Sequence, residues 1–464
     1  MGTTRTLAQL CTEIDFSGLS HEVVDRVAYL CVDFFGVAIR GAATESARCV
    51  QRAMAEVYDS SPKDMPVVGT DMQLNPSAAA LTVGTAAHSL ELDDVVNEAS
   101  LHPGVAVFPA ALCAAWMAKK DGQDLTAAVV AGYEVMVRLG KAVDPKAHYS
   151  QGFHPTGTCG TFGAAVAAAK VMGLDSEGIT NALGIAGSQA AGSMEFLAAG
   201  AYTKRLHAGW AAMSGLNAAL LAKQGFTGPD TILEGRHGFL HAYTTSPVPE
   251  YLLKDWGMRF EVLNTSIKPH ACCRYKQSAI DGILYLKQKH SLAPEDIEEM
   301  RIGILEAGFS LVADPLETKQ DPHSIVDAQF SMPFGAAVAI VKGRASLSEY
   351  TEKNLQDTQV KELMTKVHCV RDKALEADFP RKWPASVVIR TKDGQELTTW
   401  VDTPKGDPDN PLSWDELISK FNELSADYYA EEDKAGKVSR LQGLSDEQPD
   451  IDHLLKILSH RSSP

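Results

Sequence analysis

Several things are missing from this chain, and each absence removes a class of protein. No apolar run reaches the ~18–20 residues that a membrane-spanning helix needs; Gly, Ser, Thr or a charge interrupts every small-residue segment. Basic residues are not in excess: 43 Lys and Arg stand against 59 Asp and Glu, a net charge of −16. Gripping a phosphate backbone takes clustered cations, so no nucleic acid is expected as a partner. A local cationic pocket for a small anion stays open. The eight cysteines form no C-x-x-C and no zinc spacing. With no apolar or basic amphipathic leader at the N-terminus, the expectation is a reduced cytoplasmic protein, off the membrane, with no cysteine-built metal site. A phosphate loop is missing too. Gly157, Gly160 and Gly163 invite one, but "KAVDPKAHYSQGF" before them is no strand. Close helix packing explains these glycines better.

What is present is mostly helix. At 464 residues, two domains are the default. "SHEVVDRVAYLCVDFFGVAIRG" runs apolar at helical spacing from an N-cap at Ser20. Ala- and Gly-rich segments follow, and strand signals are nearly absent before about residue 260. The texture then changes. "MRFEVLNTSIKPH" reads as extended, "IEEMRIGILEAGFSLVA" contains a strand, and "ASVVIRTKDGQELTTWVD" is a hairpin turning at Asp393-Gly394, with "SIVDAQFSMPFGAAVAIVKG" and "NLQDTQVKELMTKVH" as helical runs between them. The spacing predicts a mostly α protein: an all-helical domain over 1–262, completed by 405–464, and a smaller α+β domain over 263–404.

Chemistry concentrates in a few short stretches. "HSLELDDVVNEASLHPG" packs His88, Glu91, Asp93, Asp94 and His102 between two apolar segments. A helix continued through it places His88, Glu91 and Asp94 on one face, with Asp93 pointing elsewhere. Alone, such a cluster reads as a capped helix end. The second stretch, "HYSQGFHPTGTCGTFGAA", repeats the pattern: His154, like His102, precedes a proline that opens a helix. Two histidines in matching contexts point to a pair of general acid–base groups. "AAGAYTKRLHAGWAA" adds Lys204, Arg205 and His207. "SIKPHACCRYKQSAIDG" adds Lys268, His270, Arg274 and Lys276, a set suited to holding carboxylates. Imidazoles, acids and cations without a nucleotide loop suit proton chemistry on a small polycarboxylate.

In order along the chain, "HSLELDD…HPG", "GFHPTGTCGTFGAA", "AYTKRLHAGWAA", "SIKPHACCR", "DAQFSMPFGAAVA" and "PKGDPDNPLS" resemble the MmgE/PrpD family over essentially the whole chain. The resemblance implies a large all-helical domain with a smaller α+β lid domain, a homodimer, and a cofactor-free, metal-free active site between the domains. It implies lyase or isomerase chemistry on small polycarboxylates. Motif by motif, Glu91, Asp94, His102, His154, Lys204 and Lys268 match the family's site. Cys273 falls five residues after Lys268, where the family's animal cis-aconitate decarboxylase carries a histidine, and His270 stands close by as a substitute. Val95 and Phe334 replace a threonine and an aromatic hydroxyl of that same enzyme.

The expectation is therefore a hydro-lyase removing water from a citrate-like tricarboxylate. His102 and His154 form the acid–base pair, Asp94 orients one imidazole, and Lys204, Lys268 and Arg274 hold carboxylates. Glu91, His270 and Cys273 complete the substrate contacts. The alternatives are epimerisation of an imino- or aminodicarboxylate, decarboxylation of cis-aconitate, and a non-catalytic polycarboxylate binder.

Overall fold

The computed structural model describes residues 2–58, 61, 64–198, 200–446 and 450–462. The chain forms two compact units. One comprises Met1–Ser89, Asp93–Thr265 and Ser413–Pro464; the other comprises Leu90–Leu92 and Ser266–Leu412.

The first unit is helical. Its main helices are α1 (His21–Gly41), α2 (Pro76–Ala87), α3 (Gly104–Ala118), α4 (Gly122–Ala142), α5 (Pro155–Val171), α6 (Ser176–Gly187) and α7 (Thr203–Lys223). Local sequence explains their starts. The side chains of Ser20, Asn75 and Asp121 accept from backbone N–H groups of the first turn, satisfying donors a helix leaves orphaned. α3 is apolar all round and buried from Gly104 to Ala115, as a helix inside a core should be. α5 lies at the centre, packed by α3, α4, α6 and α7. Small residues make that crowding possible. A Cβ on Gly209 of α7 would sit 2.1 Å from the Leu81 carbonyl oxygen of α2, so only glycine fits at that crossing. Among the described residues, the only paired strands of this unit are Met65–Pro66 and Gln73–Leu74.

The second unit is α+β. Strands β1 (Ile297–Ile304), β2 (Val367–Arg371), β3 (Ala385–Thr391) and β4 (Glu396–Val401) form one sheet in the order β2-β1-β3-β4. β1 pairs parallel with β2 and antiparallel with β3. β3 and β4 are the expected hairpin, and Gly394 takes the left-handed conformation (φ +86°) its turn requires. Helix α8 (Gln277–His290) packs on β3 and β4, and α9 (Met332–Lys342) packs on α8.

Two expectations change. "MRFEVLNTSIKPH" is not a strand; Glu261–Asn264 is a short helical turn, anchored where Lys141 Nζ donates to both Glu261 carboxylate oxygens at 2.9 Å. The segment ending "MTKVH", read as helix, leaves its helix at Met364 and becomes β2. No single described helix is long and apolar enough to cross a membrane.

Candidate active site

The acidic stretch does not continue α2. The helix ends at Ala87, and Glu91 adopts φ +54°, a left-handed conformation that breaks any helical run. A Val96–Leu101 bridge then closes a loop. This turn exchanges the expected roles of the two aspartates. Asp93, expected to point away, faces the imidazoles: its Oδ2 accepts from His88 Nδ1 at 2.8 Å and stands 3.0 Å from His102 Nδ1. Asp94 does not orient an imidazole through its carboxylate. That group accepts from Gly104 N–H at 3.0 Å and from Tyr133 O–H at 2.7 Å, capping α3. Gly104 is required there, because a Cβ would stand 2.9 Å from both Asp94 carboxylate oxygens and the Tyr133 hydroxyl.

Asp94 still acts on His102, through its backbone. The Asp94 carbonyl lies 2.7 Å from His102 Nδ1. A carbonyl only accepts, so Nδ1 carries hydrogen and the neutral ring keeps its lone pair on Nε2. With Asp93 behind it, this is an imidazole arranged as a general base, its positive charge stabilised by a carboxylate once it takes a proton.

His154 occupies the N-cap position of α5, and its N–H donates to the Gly192 carbonyl at 2.9 Å. Its Nδ1 lies 3.1 Å from His207 Nδ1. The rings of His102, His88, His154 and His207 follow one another with centroids 5.0, 5.9 and 5.3 Å apart. Burial holds His154 well below the usual histidine range, and His88, Lys204, His207 and His102 push it further down. His207 is lowered to about 4, by burial first and then by His88 and Lys204. Lys204 sits in the first turn of α7, three residues before His207. His148 is committed elsewhere: Nδ1 donates to the Tyr243 carbonyl and Nε2 meets Thr158 Oγ1, both at 2.8 Å.

Burial pushes the Asp94 carboxyl up to about 7, with the charges of Asp93 and Asp33 adding, against the bonds from Tyr133 and Gly104. Its ordinary value is ~3.9. Between those values the folded protein holds a proton that the unfolded chain has released. This contribution to stability is complete below ~4 and is lost as pH rises through about 7. Asp94→Asn removes it. The variant is expected to lose less Tm than the wild type between pH 4 and 7 in calorimetry; parallel curves would contradict the assignment.

His88, Asp93 and His102 bring three donor atoms within 4.8 Å, a set able to ligate a cation. Hydrogen bonding between the Asp93 carboxylate and the two imidazoles already accounts for their closeness.

The other expected residues belong to the second unit. Glu91, Lys268, His270, Cys273 and Arg274 are all buried there. Lys268 and Glu91 both bear on the Cys272 thiol, whose pKa burial raises. Cys273 N–H donates to the Gln329 carbonyl at 3.0 Å. Arg274 and His270 differ from free carboxylate clamps: Arg274 Nη2 pairs with Asp407 at 2.5 Å and His270 Nε2 with Asp281 at 2.9 Å. Lys276 is enclosed as well, donating to the Ala328 carbonyl at 2.9 Å and the Tyr350 hydroxyl at 3.2 Å. Sequence reasoning named His88, Asp93 and His207 but gave none of them a role in the site. Only His207 carried a usable signal, its i+3 spacing from Lys204.

The description of the MmgE/PrpD N-terminal domain matches residues 5–252, and that of the MmgE/PrpD C-terminal domain matches residues 270–442. A cis-aconitate decarboxylase of Aspergillus terreus is 26% identical, over 99% of this chain and 96% of its own length. The Mus musculus cis-aconitate decarboxylase is 28% identical, over 90% of this chain and 86% of its own. A mitochondrial 2-methylcitrate dehydratase of Yarrowia lipolytica is 23% identical, over 72% of this chain and 67% of its own.

Proposed function

The chain belongs to the MmgE/PrpD family, and from that premise we propose a lyase that works by proton transfer on a small tricarboxylate. The observation that carries the proposal is His102. Its Nδ1 is engaged by the Asp94 carbonyl and Asp93, which fixes the tautomer of the neutral ring with its basic lone pair on Nε2. His102 takes a proton from a carbon beside a carboxylate, and the C–H electron pair forms the alkene. His154 Nε2 gives a proton to the leaving hydroxyl, which departs as water. Lys204, in the first turn of α7, takes a substrate carboxylate. Two imidazoles in contrasting settings, one backed by a carboxylate and one kept neutral by burial beside Lys204, support dehydration of a citrate-like alcohol as the first reading.

The relatives favour a second reading. Cis-aconitate decarboxylases align with 90% or more of this chain, the dehydratase with 72%. Here the C–C electrons stay on the substrate as carbon dioxide leaves, and His154 protonates that carbon.

Proton NMR in deuterated buffer separates these readings in one experiment, with methylcitrate, longer alkylcitrates, cis-aconitate and iminodisuccinate as substrates. Water loss from a citrate supports the first and itaconate-type products the second. Deuterium exchange at carbon without either marks an epimerase. Inertness of all four, with binding seen only as thermal stabilisation, would refute the lyase.

A further inference from the structure

His207 has a place in the geometry but none in the chemistry given so far. Two ring nitrogens 3.1 Å apart share one hydrogen: one ring donates and the other accepts. The backbone is shaped for this approach. A Cβ on Gly157 would come within 3.2 Å of the His207 Cβ and 2.4 Å of the Ala191 carbonyl oxygen. Phe196 closes edge-on over both rings, 6.0 Å from each centroid. The rings differ in access to water, since His154 is 3% exposed and His207 is partly exposed. The pair is faced by Lys204 on α7, by His88 from the end of α2 and by His102 from the loop before α3. An extra positive charge left on His154 would be costly in such a place.

We propose that His207 is a positioning residue that reprotonates His154 during turnover, so that the buried ring donates a proton without first becoming charged. The proposal rests on His154 as the acid of the lyase. His154 starts with hydrogen on Nε2 and a lone pair on Nδ1. His207 starts with hydrogen on Nδ1. As the Nε2 proton passes to the leaving hydroxyl, the His207 hydrogen moves to His154 Nδ1, and His207 Nε2 takes a proton from bulk buffer. The C–O electrons leave with the water. The substrate proton held by His102 returns to solvent, so one proton enters and one leaves. With product gone, His154 Nε2 takes a proton from water entering the site, the hydrogen between the rings returns to His207 Nδ1, and His207 Nε2 gives its proton back to buffer, which restores both rings.

His207→Asn separates holding from relaying. Its side-chain amide can keep a hydrogen bond to His154 Nδ1 but cannot pass a proton through. H207N is expected to keep KM within about threefold and lose about 10–100-fold in kcat. Added imidazole should restore part of the loss, and the acidic limb of the kcat–pH profile should shift. H207L, which keeps neither function, should lose at least as much. Wild-type kcat and pH profile in H207N would overturn the relay. ¹⁵N NMR of histidine-labelled, substrate-free protein judges the pair even if no substrate turns over. Complementary tautomers on His154 and His207 are expected; the same tautomer on both, with no hydrogen shared, would overturn it.

Discussion

Replacing His102 with glutamine is expected to lower turnover by about 10²-fold or more while the protein stays folded. The ring sits on a loop between α2 and α3 with its side chain 13% exposed, and glutamine, of similar volume, keeps most of its packing. What is lost is a proton acceptor at Nε2, held there because Nδ1 is bound to the Asp94 carbonyl and to Asp93. Glutamine can still hydrogen-bond but cannot take up a proton at that place. The check is kcat on whichever tricarboxylate the NMR panel identifies, with Tm measured alongside. A wild-type rate at unchanged Tm would remove His102 from the mechanism.

Asp93→Asn carries the second large effect. The Asp93 carboxylate meets two imidazole N–H groups, from His88 and His102, and is itself fully buried. Both rings meet the same oxygen, Oδ2, so an asparagine oxygen in its place can still accept from both, but it carries no negative charge to stabilise the imidazolium that His102 becomes. Turned the other way, the asparagine faces the N–H groups with its amide nitrogen and drives the His102 hydrogen to Nε2, where it blocks the base. The expected loss in turnover is about 10²–10⁴-fold. Asp94→Asn keeps the backbone carbonyl at His102 and an oxygen for Gly104 or Tyr133, so its loss should stay within about tenfold. Comparing the two variants by steady-state kinetics tests the exchange of roles directly. A larger loss in Asp94→Asn than in Asp93→Asn would reverse it.

That exchange also shows where sequence reasoning runs out. Extending α2 at 3.6 residues per turn puts Asp94 beside His88, and nothing in "HSLELDD" announces the left-handed residue at Glu91 that turns the chain. Caps and small-residue periodicity were legible because they are local. Ser20, Asn75 and Asp121 each satisfy a donor in the turn that follows. His102 and His154 were legible because a proline follows each and a helix begins there. The hairpin at Asp393-Gly394 announced its own turn. β2 was hidden because "VHCVR" borrows the helical pattern before it, and its identity as a strand comes from pairing with β1, 67 residues away in sequence, starting at Met300↔Val367. Arg274 and His270 looked like ligands for a substrate because sequence shows charges and not their partners; Asp407 and Asp281 answer those charges within the second unit. His207 stood in view three residues after Lys204, but its partner comes from another helix.

The central claim is that His102 and His154 act in one proton-transfer reaction, and the double variant H102Q/H154Q tests it most directly. Groups that serve one chemical step lose activity together, so their effects should not multiply. Measured on the substrate found by NMR, the double variant is expected to be about as slow as the slower single variant. Turnover within about tenfold of the wild type in the folded double variant would contradict the account.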